Sequence, residues 1–170
     1  MTKQDLSENQ VKTIYLGIGS NLGNKITNIE KAKFLLKDSN IDLISISKYY
    51  ETPSWPDPKK PKFLNIILKA KCLFNPSELL KICKSIEVKL GRKKTPQNSP
   101  RECDIDIIDF NSLIMNGKLN LPHKMMHKRN FVLFPLFEIE KQWFHPIKKV
   151  DVKTLIFSLS NNDIRSIKQI

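Results

Sequence analysis

Apolar and polar residues alternate with two different periods along this chain, and each change of period marks an element. "TIYLGIG" (13–19) alternates and closes on glycine, as a strand does. "GSNLGN" then breaks the pattern as a turn. From Lys25 to Asp38 the period lengthens: Ile26, Ile29, Ala32, Lys33, Leu35 and Leu36 recur near helical spacing, with Asn24 placed to cap. "IDLISISKYYE" (41–51) returns to alternation and predicts one continuous strand. "TPSWPDPKKPK" (52–62) holds four prolines, which bars regular structure. "FLNIILKAKCL" (63–73) predicts another strand. "NPSELLKICKSIEVKLG" predicts the clearest helix, with Asn75 as cap, Pro76 in the first turn and Gly91 as the stop. "RKKTPQNSPR" is a second loop, "CDIDIIDF" a strand, and "FVLFPLFEIEKQW" a short helix.

The order β-α-β-β-α-β, followed by a C-terminal extension, is the ferredoxin-like arrangement of the α+β class. It predicts a four-stranded antiparallel sheet with two helices on one face. "TIYLGIG" and "CDIDIIDF" are expected as its central strands. Residues 13–170 are expected to form a single domain. The polar start, "MTKQDLSENQVK" (1–12), reads as a flexible N-terminal extension and has no apolar signal-peptide core. The absence of a long apolar run excludes a membrane-spanning helix and points to the cytoplasm.

A composition of 40% hydrophobic and 27% charged residues changes little, being ordinary for a globular chain. Charge adds more: a formal +12 favours an anionic partner, with nucleic acid, anionic lipid and a nucleoside triphosphate all eligible. Cys72, Cys83 and Cys103 have no C-x-x-C spacing and read as buried reduced thiols.

The stretch "SPRECDIDIIDF" (99–110) narrows the choice. On a strand, Asp104 and Asp106 share one face, while Ile105 and Ile107 point the other way into the core. Asp109 falls on that second face and reads as a strand-end or turn carboxylate. Paired carboxylates repel unless a cation joins them, and oxygen-only ligands favour Mg²⁺. Arg92 and Arg101 stand at the two ends of the "RKKTPQNSPR" loop, where their planar forks suit phosphate oxygens. "PHKMMHKR" (122–129) supplies His123, Lys124, His127 and Arg129, a basic segment suited to phosphates rather than a zinc site. Trp55, Phe63 and Phe131 are candidate walls for a flat heterocycle, and Asn65 a candidate partner for its edge.

Six stretches in order and spacing, "GIGSNLGN", "YYETP", "FLN", "IEVKLGR", "PRECDIDIIDF" and "LPHKMMHKRNFVLFPL", resemble the 6-hydroxymethyl-7,8-dihydropterin pyrophosphokinase family of folate biosynthesis. The resemblance runs from about Ile14 to about Phe144. It implies transfer of pyrophosphate from ATP to the hydroxymethyl group of the reduced pterin, leaving AMP. It further implies two Mg²⁺ ions on Asp104 and Asp106, and catalytic arginines at Arg92 and Arg101. Pterin contacts carry over to Thr52, Pro53, Ser54, Trp55, Phe63, Asn65 and Phe131. ATP contacts carry over to Arg92, Arg101, Ile107, His123 and Arg129, with Glu87 as a supporting acid; Lys124 stands where the family often has an aromatic and is expected to hold an ATP phosphate instead. The partners expected are ATP and the pterin, without nucleic acid or membrane, and the chain is taken as a monomer. A nucleic-acid-binding ferredoxin-like module is disfavoured because the K/R-G-F-x-F pattern is missing and paired aspartates repel a phosphate backbone.

Overall fold

The computed structural model describes residues 10–170. The expected N-terminal extension therefore lies mostly outside the described residues. Lys12 does not belong to it, since it opens the first strand and is buried.

The strands are β1 (Lys12–Ser20), β2 (Asp42–Ile46), β3 (Tyr50–Thr52), β4 (Phe63–Cys72), β5 (Asp104–Phe110) and β6 (Lys168–Gln169). The helices are α1 (Lys25–Asp38), α2 (Pro76–Lys89), α3 (Asn130–Ile139), α4 (Val152–Phe157) and α5 (Asn161–Ser166). The strands form one sheet in the order β5-β1-β4-β3-β6, with β2 beside the far end of β4. All its pairings are antiparallel.

Local chemistry accounts for the helix limits. Asn24 caps α1 by accepting the Thr27 N–H at 3.0 Å. Asn75 and Glu78 cap α2 reciprocally, at 2.9 and 2.8 Å. Gly91, just past α2, has φ +107, a conformation that a side chain would strain.

Four sequence expectations need correction. The stretch 41–51 is two strands, because Ser47 stands between β2 and β3 with its hydroxyl accepting the Ile67 N–H at 2.9 Å. A serine hydroxyl thus replaces a ladder bond, and the strand breaks there. Next, β5 lies at the sheet edge, paired among the described residues only with β1, whereas β1 and β4 are central.

The helices also cover both faces, not one. Helices α1 and α2 bury Ile29, Leu36, Leu79 and Ile86 against Leu16, Ile18, Leu68 and Ile105. On the opposite face α3 and α4 bury Val132, Leu133, Leu136 and Leu155 against Tyr15, Ile67 and Ile108. Covering on both sides explains why β1 and β4 are nearly continuous apolar runs. The C-terminal extension is therefore a packed layer. Finally, Ile26 lies on the outer side of α1 and is exposed.

Candidate active site

Strand β5 enters the sheet edge from the 92–101 loop. Its alternation buries Ile105 and Ile107 in the core under α1 and α2. Asp104 and Asp106, on the other face, line a cleft of about 770 Å³. Farther along, the register against β1 shifts between Tyr15 and Leu16, so Ile108 is an extra residue. This bulge turns Asp109 onto the α3 side, where its carboxylate accepts the Trp143 indole N–H at 2.9 Å. Asp109 is thus buried in the second core, opposite to the side that simple alternation predicts.

Asp104 is held by two cations. Its Oδ1 accepts from Arg92 Nη1 at 2.6 Å and its Oδ2 from Arg101 Nη2 at 2.7 Å. Burial pushes this carboxyl up, but the Arg101 charge and the Arg92 hydrogen bond outweigh it and hold it below the ordinary carboxylate range. Arg92 Nη1 also reaches Glu87 Oε2 at 2.9 Å. Glu87, 1% exposed, accepts the Ile105 N–H at 2.7 Å and the Lys84 ammonium at 3.0 Å. Its buried carboxylate therefore ties α2, Arg92 and β5 together from beneath. Burial pushes the Glu87 carboxyl up, against the pull of the Ile105 N–H and Lys84.

Asp106 accepts from Arg129 Nη1 at 3.3 Å, and His123 Nε2 lies 3.5 Å from the same nitrogen. Burial, with the Arg129 charge, lowers the His123 pKa against the pull of Asp106, which favours neutral imidazole. The Arg101 guanidinium lies 5.3 Å from the centre of the Phe63 ring, and that of Arg129 lies 5.5 Å from Phe131. Both are cation–π distances, so the charged and aromatic residues form a continuous wall. Among the described residues, Arg101 Nε is a buried side-chain donor with no partner. It is free to meet an anionic oxygen.

The aromatic end is built around Asn65, whose amide donates to Thr52 Oγ1 at 3.1 Å. Asn65 pairs across the sheet with Gly19, where a Cβ would stand 2.9 Å from Asn65 Oδ1. Glycine at that position makes room for the amide. Thr52, Pro53, Ser54, Trp55, Phe63 and Phe131 line the same end. Trp55 is 68% exposed, at the rim.

Asn21 was not singled out from sequence, yet it joins the site's two loops. Its amide donates to Ser54 Oγ at 3.2 Å and Pro61 O at 3.1 Å, while its Oδ1 accepts the Arg101 N–H at 2.8 Å. Asn21 directly follows the strand in "GSN" and is 3% exposed, yet a turn asparagine reads the same in sequence whether buried or exposed, so nothing local marks it.

Three predicted contacts lie outside the cleft lining. Ile107 is buried on the core face, and its neighbour Ile108 lines the cleft instead. Lys124 is exposed and Glu87 is covered. Lys84 and Lys128, not predicted as contacts, do line it. Among the described residues no three His, Cys, Asp or Glu side chains cluster as a complete metal cage. The paired carboxylates of Asp104 and Asp106 nevertheless fit Mg²⁺, which takes one or two carboxylates and completes its shell with phosphate and water oxygens.

A model of the 7,8-dihydro-6-hydroxymethylpterin-pyrophosphokinase family matches residues 15–141. The chain belongs to that family. Among similar pyrophosphokinases, the 2-amino-4-hydroxy-6-hydroxymethyldihydropteridine pyrophosphokinase of Aquifex aeolicus is 40% identical over 142 residues, covering 83% of this chain and 88% of the relative. The enzyme of the same name from Methylorubrum extorquens is 37% identical over 127 residues, covering 74% and 80%. The fold resembles that of a Plasmodium falciparum HPPK-DHPS variant crystallised with pterin and p-hydroxybenzoate. The TM-score is 0.77 at 15% identity, over 96% of this chain and 48% of that one. The pyrophosphokinase match runs from within β1 through α3 and stops before α4, α5 and β6.

Proposed function

We propose that the chain transfers pyrophosphate from ATP to the hydroxymethyl oxygen of 6-hydroxymethyl-7,8-dihydropterin, releasing AMP, as a step of folate biosynthesis. The observation that carries this reading is one cleft in which a charged cluster adjoins an aromatic one, Arg101 lying on Phe63 and Arg129 on Phe131. Asp104, Asp106, Arg92, Arg101 and Arg129 gather at the charged end, and Thr52, Phe63, Asn65 and Phe131 at the aromatic end.

In this reading the Asn65 amide and the Phe63 and Phe131 rings orient the pterin, so that its hydroxyl meets the β-phosphorus in line. Such positioning supplies much of the rate in phosphoryl transfer, where the protein has little covalent chemistry to do. Arg92 and Arg101 stabilise charge that grows on the transferring group and on departing AMP. Asp104 holds both guanidiniums at the cleft beforehand, which limits the reorganisation left for the reaction. Arg101 Nε remains as a spare donor for a phosphate oxygen. His123 and Arg129 bind ATP phosphates. Asp104 and Asp106 would hold Mg²⁺, two ions in this reading, which when bound neutralise phosphate charge and polarise the phosphoryl group. The 93–100 loop, which lines the cleft, closes it against water. Three unpaired buried cysteines suit a reducing compartment, so a cytoplasmic location belongs to the same proposal.

The deciding measurement is AMP formation from ATP and Mg²⁺, with and without 6-hydroxymethyl-7,8-dihydropterin. Pterin-dependent AMP with pterin diphosphate in equal amount is expected. AMP formation indifferent to the pterin, or its absence, overturns the assignment.

A further inference from the structure

Helix α5 and strand β6 lie beyond the family match, and α5 has no buried residue. Hydrophobic burial therefore does little to hold α5 in place. Its polar attachments run to the walls of the cleft. Asn130, 7% exposed, donates from Nδ2 to Asp163 O at 2.6 Å and to Ser166 Oγ at 3.1 Å. Its Oδ1 accepts the Phe131 N–H at 2.7 Å. Arg129, at the cap position of α3, provides no side-chain cap, and the Asn130 amide satisfies one first-turn N–H, that of Phe131. Past α5, β6 pairs with Tyr50 and Glu51, directly before Thr52, and the Ile170 N–H donates to Tyr49 O at 3.0 Å. Both anchor points are thus next to residues of the aromatic end, Phe131 and Thr52. Asp163 and Ser166 themselves line the cleft there.

We propose that residues 160–170 form the outer wall of the aromatic end, and that Asn130 is a positioning residue which uses this segment to set Phe131 against the pterin. This rests on the pyrophosphokinase reading and adds a determinant of pterin affinity that the family match does not include. The segment acts on ring binding and leaves the phosphate chemistry to Arg92, Arg101 and the aspartates.

The test compares the whole chain with three variants: a chain ending at Leu159, Asn130→Ala, and Ser166→Trp. Initial rates of AMP release are measured against each substrate at saturating levels of the other, beside thermal melts followed by circular dichroism. For the first two variants KM for the pterin is expected to rise about tenfold, the scale of one or two lost hydrogen-bonded supports. KM for ATP and kcat stay within about threefold, since Arg92, Arg101 and the aspartates are untouched and Arg129 keeps its bond to Asp106. Ser166 is exposed, so Ser166→Trp keeps the fold even where the other variants do not. Its indole intrudes on the aromatic end and raises KM for the pterin alone. Folded variants with both KM values unchanged, or with the two raised equally, overturn the proposal. Absence of pterin-dependent AMP from the whole chain defeats the pyrophosphokinase reading instead.

Discussion

Asp104 shows how one side chain serves two neighbours. Each carboxylate oxygen takes one guanidinium, from Arg92 at 2.6 Å and from Arg101 at 2.7 Å. Asp104→Asn removes the charge that holds them and gives one oxygen position to a donor, which repels an arginine N–H. Turnover is expected to fall at least ~100-fold while the melting temperature changes little, because Asp104 lies at the cleft rather than in the core. Retention of near-normal turnover in Mg²⁺ would count against both the metal and the arginine roles. Arg101→Lys separates charge from shape. Lysine keeps the cation but loses the fork and the unpartnered Nε, so kcat should drop by about 100-fold or more while the ATP dissociation constant shifts only a few-fold. Steady-state rates with equilibrium binding distinguish this from a ground-state role, in which ATP affinity would fall instead. Much of this site was legible from spacing, since i and i+2 on a strand decide that Asp104 and Asp106 share a face. Asp109 was not legible, because the bulge at Ile108 depends on β1, a partner 90 or so residues away in sequence. Asn21 was missed for a related reason: its contacts reach Ser54, Pro61 and Arg101, all distant along the chain.

At the scale of elements, local signals and partner-dependent ones separate in the same way. The cap of α2 is local, and its asparagine, proline and glutamate lie within four positions. Asn75→Ala should cost about 1 kcal/mol, seen as a drop of about 2–4 °C in melting temperature for a chain this long. Activity per folded molecule should not change, because Glu87 and Arg92 lie at the other end of the helix. A kinetic defect as large as the stability defect would show that the cap and the site are coupled. Strand β1 gives the opposite case, since Gly19 matters through β4. Gly19→Ala would place a methyl 2.9 Å from Asn65 Oδ1 and 3.3 Å from Phe63. The amide must move, at a cost of about 1–3 kcal/mol, and its bond to Thr52 is disturbed. KM for the pterin should rise more than KM for ATP, and equal changes in both would speak against Asn65 as the ring's partner. The split of 41–51 into β2 and β3 belongs to the partner-dependent group: its alternating pattern persists, and only pairing with β4 exposes the serine that interrupts it. Edge placement of β5 is likewise a property of pairing, which apolar content does not reveal when both faces are covered.

For the whole molecule, a histidine of the second layer contributes to how the fold responds to acid. His145 sits in the segment that joins α3 to α4 and is 4% exposed. Its Nδ1 accepts the Ile147 and Lys148 N–H groups at 3.2 Å each, which requires an unprotonated nitrogen. Burial, with His127 and Lys148 nearby, lowers its pKa to about 4. Above pH 6.5 the imidazole is neutral in both folded and unfolded chains, and it adds no pH dependence. Between about 6.5 and 4 the unfolded chain binds a proton that the folded chain refuses, so stability falls as pH falls. The loss amounts to at most about 3 kcal/mol and levels off below pH 4. His127, also lowered by burial, acts in the same direction. Asp109 and Glu87, raised by burial, act in the opposite direction, and Asp104, lowered, acts only in more acid solution. A raw melting curve against pH therefore mixes signs, and a variant is needed to isolate one group. His145→Gln keeps an acceptor for the two N–H groups but cannot titrate. It should be less stable than the parent at pH 7.5, from poorer packing against Trp143, yet should lose less stability on going to pH 4.5. Melting temperatures of the two chains should converge as pH falls through 6.5. Parallel curves would mean that the second layer is held without reference to this histidine's charge, and that acid acts on the molecule elsewhere.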